Sequence, residues 1–264
     1  MKEFFGFGGF QREPEGYMSF EHLSFVTTLM ILMIGLSVYL GIRNRGRDFS
    51  AKNRVLIITA ILIDTLEIIK IVMCCIATSD PWGWKLELPL FLCSIQLITV
   101  PLAAFARGRV REAASDFVMI FGVLGAVLGT YGAAQNYAAY PVFSYINVIS
   151  GLTHSISGFA AIYIGVVGLA SLKRKNVWIT FSILGCFCIM ASVANAILDY
   201  NYMFLRSGDG TPYDIFYNLV GGNQILYPLT VIALFLLYIS VFYAVWFFIE
   251  KKREIKRTHS ENIN

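Results

Sequence analysis

Charge is scarce in this chain. Asp, Glu, Lys and Arg make up 14 % of its 264 residues, where a soluble domain carries roughly 25 %. With 57 % hydrophobic residues and a mean hydropathy of +0.65, this argues against a water-soluble domain. Histidine is rarer still: His22, His154 and His259 are all there is. The five cysteines include no C-x-x-C pair, and no histidine lies at metal-ligand spacing from them. Neither a disulfide framework nor a metal site is therefore expected. A glycine-rich phosphate loop, a G-x-S-x-G elbow and an H-E-x-x-H helix are all missing, and no cofactor is implied. Basic residues flank apolar runs and form no separate face, so nucleic acid is not an expected partner.

What the chain has is long apolar runs. Residues 23–42, 55–77, 86–106, 117–134, 148–170, 177–200 and 225–249 are each apolar and long enough to cross a bilayer. Sixteen of the 21 Lys and Arg residues fall on one side of that threading. Arg43, Arg45, Arg47, Lys52 and Arg54 follow the first span, and Arg107, Arg109 and Arg111 follow the third. Lys173, Arg174 and Lys175 follow the fifth, and Lys251, Lys252, Arg253, Lys256 and Arg257 follow the seventh. The positive-inside bias then predicts an all-α, seven-helix transmembrane bundle with its N-terminus outside and its C-terminus in the cytoplasm. The basic connectors are expected to touch anionic inner-leaflet lipid. Residues 1–22, with Phe4, Phe5, Phe7 and Phe10, read as an outer interfacial segment, 23–250 as the membrane domain, and 251–264 as a basic, disordered cytoplasmic tail. The first span has no cleavage site behind it and is not expected to be a removable signal. The expected location is the cell membrane.

Glycines 122, 125, 129 and 132 on the fourth span, and 151, 158, 165 and 168 on the fifth, read as strips for close helix packing.

The threading assigns depths at 1.5 Å per residue. Cys93, Lys70 and His154 all fall about 10 Å below the outer boundary, and Glu67 lies about 15 Å deep. Asp64, Glu67 and Lys70 recur at i, i+3 and i+6, on one helix face. Ionisable groups so deep mark a pathway, a relay or a pair, and an internal Glu67–Lys70 ion pair is as good a reading as a functional one. Asn195 and Asp199 close the sixth span from the outer side, while Asn223, Gln224, Tyr227 and Thr230 open the seventh. These polar groups predict a cavity in the outer half.

A lone buried cysteine is most often an inert small hydrophobe. Pro89 alters the setting of Cys93: it either begins a helix, bringing the thiol near a positive dipole end, or kinks one and opens space. Either way Lys70 and His154 are the candidates at matching depth to activate a thiolate. Gln96 shares the helix face of Cys93 and could donate to an oxyanion, or could bond to a neighbouring helix.

The stretch at 88–97, L-P-L-F-L-C-S-I-Q-L, together with N-Y-M-F-L at 201–205, resembles the YwaF family of bacterial integral membrane proteins, which is similar to the transmembrane protein 164 family. The resemblance covers nearly the whole chain. It implies seven spans and, from the eukaryotic relatives, an acyltransferase acting on glycerophospholipids with a cysteine and a histidine. Those roles fall on Cys93 and His154. Phospholipid or lysophospholipid would be the substrate partner. Gln96 and Asn195 would steady the oxyanion, and Asp64, Glu67 and Lys70 would form a relay or ion pair. Asn201, Tyr202 and Asn223 would line the outer mouth. The alternative is a proton-coupled transporter or a ligand-binding sensor using the same cavity.

Overall fold

The computed structural model of the chain describes residues 12–78, 82–170 and 172–261, and among these every regular element is helical. α1 (Phe20–Asn44) and α2 (Phe49–Thr78) come first. A 3-10 turn (Gly83–Glu87) and an irregular stretch lead to α3 (Gln96–Phe105). Then follow α4 (Gly108–Thr130), short α5 (Ala134–Ala139), α6 (Tyr145–Val167), α7 (Val177–Leu198), short α8 (Asp214–Leu219) and α9 (Leu226–Glu261). Expectations for Phe4, Phe5, Phe7 and Phe10 lie outside the described residues, as do those for residues 262–264.

Helix ends follow local chemistry. The Ser19 hydroxyl accepts from the His22 N–H at 3.2 Å and starts α1, and Ser144 does the same for Asn147 at 3.3 Å at the start of α6. Gly168 ends α6 in the left-handed region, at φ 77°, where a side chain would be strained.

Among the described residues five helical stretches are long and apolar enough to cross a membrane: Phe20–Asn44, Gly108–Ala139, Tyr145–Val167, Arg174–Leu198 and Leu226–Lys252. The second and third predicted spans differ from these for separate reasons. α2 is 30 residues long but carries Asp64, Glu67 and Lys70 within two turns. The third predicted span, 86–106, is not one continuous helix. Leu88 is extended (φ −60°, ψ 142°), the backbone that a following proline favours. Residues 91–98 then turn through bonds such as Gln96 N–H to the Cys93 carbonyl (3.3 Å) and Leu97 N–H to that of Ser94 (3.0 Å). Pro89 therefore neither begins nor kinks an α-helix; α3 starts well beyond it. The expected disordered tail also differs. α9 runs on through Lys251 to Glu261, because the stretch after Glu250 is rich in Glu, Lys and Arg and has no Gly or Pro to stop it.

α6 is the hub. It packs on α1, α2 and α4, and its seam with α4 is the most extensive in the molecule. Glycine makes that seam close. A Cβ at Gly122 would stand 2.7 Å from the Ala161 Cβ and 2.8 Å from the Ser157 carbonyl oxygen, and one at Gly158 would stand 2.7 Å from the Ala126 Cβ. Gly132 is different, since a Cβ there would meet only the Leu128 backbone of its own helix.

The basic connectors meet at one end. The Tyr163 hydroxyl donates to the Lys52 carbonyl (2.9 Å), and the Arg111 guanidinium lies 4.5 Å over Phe49. Arg174 lies 5.3 Å over Phe247, and Lys173 pairs with Glu112 at 2.9 Å. Deep in this end, the fully buried Asp116 accepts from the Leu172 N–H (3.0 Å) and the Asn176 amide (2.8 Å). At the opposite end Tyr17 donates to the Tyr131 carbonyl (2.8 Å), Glu15 accepts from the Val142 N–H (2.9 Å), and Tyr202 donates to the Lys85 carbonyl.

Asp116→Ala is expected to lower stability by about 2–4 kcal/mol, because it leaves buried donors unpaired. Glu112→Ala, which breaks a solvent-facing pair, should cost less than about 1 kcal/mol. Thermal unfolding in detergent would measure both; equal shifts would contradict the buried role of Asp116.

Candidate functional site

Cys93 stands in the turn before α3, where backbone N–H groups have not yet been taken up by helix bonding. Ser94 Oγ lies 4.0 Å from the Cys93 Sγ.

α4 sets the position of Cys93 and His154 together. A Cβ at Gly125 would touch the Cα and Cβ of Cys93 at 3.4 Å. One turn on, a Cβ at Gly129 would fall inside the His154 ring, against its Cδ2 and Nε2 atoms. Four residues of helix rise about 6 Å, so the two glycines seat thiol turn and imidazole one turn apart on one face. The Nε2–Cδ2 edge of the ring is therefore the one on the Gly129 side.

α2 closes the third side. Lys70 Nζ lies 2.8 Å from Glu67 Oε1 and 2.7 Å from Glu87 Oε2 in the 3-10 turn. Glu67 and Lys70 are 7 % and 8 % exposed, so this is a desolvated cluster, not a surface pair. Glu67, Lys70, Cys93, Ser94, His154 and Ser157 line one cavity with Ile63, Leu97, Gly125 and Thr153. Its volume is about 20 Å³, room for roughly one water molecule.

A second, open cavity of about 510 Å³ lies at the end away from the basic connectors. Phe91, Tyr200, Asn201, Phe204, Arg206 and Asp209 are on its wall. Phe91 stands two residues before Cys93 and packs edge-on against Tyr202 at 5.6 Å and Tyr200 at 6.3 Å. Behind it, Tyr213 stacks on Phe204 at 5.5 Å, and burial pushes its phenol up to about 12, so it keeps its proton at neutral pH.

A family model described as the TMEM164 family matches residues 17–243. The chain belongs to the TMEM164 family. No curated protein and no solved structure matches it. Membership together with the five long apolar helices makes this TMEM164-family chain a multi-pass integral membrane protein.

The other residues singled out by sequence are placed elsewhere. Asn195 clamps the Tyr202 backbone, accepting from its N–H (2.6 Å) and donating to its carbonyl (3.1 Å). Gln96 is buried beside α3 and accepts from Thr99 at 3.0 Å. Neither amide is on the wall of the Cys93 cavity. Asp64 takes no part in the Lys70 ion pairs, and its Oδ1 is buried without a hydrogen bond. Asn201 does line the open cavity, where it gathers the loop by donating to the Ser207 carbonyl (2.8 Å) and accepting from the Arg206 N–H (2.8 Å). Tyr202 is fully buried and not at a mouth. Asn223 caps α9, accepting from the N–H groups of Ile225 (2.9 Å) and Leu226 (3.0 Å). Glu87 is the group that sequence reasoning missed. Its signal is an acid at the start of the third apolar run, two residues before Pro89.

Gly129→Ala is expected to destabilise the protein by more than about 2 kcal/mol, since the new methyl must displace the His154 ring. Gly165→Ala meets only Met119 at 3.6 Å and should be neutral or stabilising by up to about 1 kcal/mol. Thermal unfolding of both variants decides this, and equal tolerance would show that His154 does not need the Gly129 notch.

Proposed function

We propose that this TMEM164-family protein is an integral membrane acyltransferase for glycerophospholipid acyl chains, with Cys93 as nucleophile and His154 as its acid–base partner. The observation that carries this reading is that the thiol turn and the imidazole line the same buried cavity, one helical turn apart on α4. The family resemblance assigns its roles to the same two residues.

In this reading His154 takes the thiol proton and the thiolate attacks an ester carbonyl of a phospholipid. The tetrahedral intermediate collapses to a thioester on Cys93, and the lysophospholipid alcohol leaves with the proton that His154 returns. A hydroxyl of a second lysophospholipid then attacks the thioester, His154 takes its proton, and the thiol is restored. An ester is exchanged for an ester, so no external energy source is required. The cavity holds about one water molecule, so an ester carbonyl reaches Cys93 only when the wall moves. The residues most suited to move are 88–95, which are not held in a long helix.

The topology that goes with this activity is seven crossings, with α2 and the broken 83–105 segment adding to the five long stretches. Support comes from the contacts that gather the basic connectors at one end and the 131–142 and 199–213 connectors at the other. Positive-inside bias makes the basic end cytoplasmic, so the Cys93 cavity opens toward the outer leaflet.

Lipid extracts from cells carrying wild-type, Cys93→Ala or His154→Ala protein test the chemistry. Both variants should abolish the change in phospholipid acyl composition that wild type produces. A hydroxylamine-labile acyl group should be found on Cys93 of the wild type, and should build up more slowly, at least about 100-fold, in His154→Ala. Unchanged lipid profiles and no adduct would end this reading. For topology, a membrane-impermeant thiol reagent should label Asn201→Cys in intact cells and Lys173→Cys only after permeabilisation; the reverse pattern would invert the assignment.

A further inference from the structure

We infer that the Lys70 ammonium is the oxyanion-binding group of this site, aimed by Glu67 and Glu87. The inference rests on the acyl-transfer reading and adds a residue to it. Attack on an ester carbonyl places a full negative charge on one oxygen, and a donor must already stand where that charge develops.

The other side-chain donors on the wall besides His154 are the neutral hydroxyls of Ser94, Thr153 and Ser157, the last without a hydrogen-bond partner, and a neutral hydroxyl meets a full negative charge more weakly than an ammonium does. Asn195 holds the Tyr202 backbone with both ends of its amide, and Gln96 is not on the cavity wall. Lys70 is on the wall together with Cys93 and His154. An ammonium has three N–H donors; Glu67 and Glu87 accept two of them, at 2.8 and 2.7 Å. The third remains for the cavity.

The pairing also explains why a lysine is tolerated here. Removing three charges from water costs several kcal/mol per ion, and packed hydrophobic side chains would stabilise the fold as well or better. A structural role alone therefore gives little reason for the cluster. Two carboxylates on different elements, α2 and the 3-10 turn, fix the ammonium by its own tetrahedral geometry. The charged and titratable groups facing Cys93 are then Lys70 with its two glutamates, His154 on α6 and Tyr213 in the connector before α8, whose phenol feels the Cys93 charge.

The test uses the full chain in detergent micelles and two small thiol reagents of similar size, anionic iodoacetate and neutral iodoacetamide. Mass spectrometry reads the modification rate of Cys93 and, as an internal control, of a thiol introduced by Lys173→Cys in the exposed basic connector. Both reagents need the thiolate, so their rate ratio at one cysteine reports attraction of an anion to that place. Lys70→Met should lower the iodoacetate-to-iodoacetamide ratio at Cys93 by about tenfold. Glu87→Gln, which keeps shape and removes a competing negative charge, should raise it. The ratio at the Lys173→Cys control should stay constant in both. Opposite shifts from the two variants are not produced by loosened packing. An unchanged ratio in both variants, or a Cys93 that reacts with neither reagent while the control thiol does, overturns the inference. Thioester forming on Cys93 as fast in Lys70→Met as in wild type discards Lys70 and leaves acyl transfer standing. No thioester in wild type discards acyl transfer itself, whatever the reagent ratio.

Discussion

One face of α4 governs this molecule. Because Gly125 and Gly129 carry no side chains, the turn holding Cys93 and the ring of His154 occupy space that a Cβ would fill. Lipid gives no hydrophobic drive for helices to associate, so close backbone approach and polar bonding must supply the attraction. Gly122 and Gly158 do this along the rest of the α4–α6 seam. The strip that holds the bundle together is thus the strip that brings thiol and imidazole to one cavity, and packing and site geometry are set by the same residues.

The break between the 3-10 turn and α3 is the second constraint. Backbone N–H and C=O groups left out of a helix need protein around them wherever water cannot reach. Here α2 lies on one side and α4 on the other. Tyr202 donates to the Lys85 carbonyl, Glu87 is tied to Lys70, and Phe91 is wedged among Tyr200, Tyr202 and Phe204. What the break gains is a cysteine in a turn ahead of a helix, a setting that the middle of an unbroken helix cannot offer.

Much of this is legible from hydropathy and charge, and the illegible part has a common cause. Helix rise converts sequence position into depth, so counting residues is enough to put Lys70, Cys93 and His154 at one level. Azimuth is not fixed by depth, and a continuous helix over 86–106 would hide it further. In such a helix Glu87 is one more residue at a span boundary, whereas the turn at Leu88 and Pro89 carries it back to α2. The amides are ambiguous for a related reason. Asn195, Gln96 and Asn223 are equally able to donate to a substrate, cap a helix or clamp a loop, and only the neighbouring backbone decides which. For Asn195 that neighbour is Tyr202, seven residues on in a turn with Met203 at φ 56°, a conformation that no pattern in the sequence announces. The α9 extension past Glu250 is a simpler case: high charge suggests disorder, although Glu, Lys and Arg are good helix formers when no Gly or Pro intervenes.

The closed state of the cavity couples access to reactivity. At about 20 Å³ it has no room for an ester, and its wall includes Cys93 itself, two residues from the aromatic packing of Phe91. Motion of residues 88–95 sufficient to admit an ester would therefore shift the nucleophile and the Glu87 end of the ion cluster together. Lys70 remains on α2 through such a motion, held by Glu67 one turn away. A substrate that reseats the 88–95 segment restores the Glu87–Lys70 pair and the Phe91 packing, and so returns Cys93 to the Gly125 seat beside His154. In this arrangement the contacts that close the cavity also assemble the thiol, the imidazole and the ammonium.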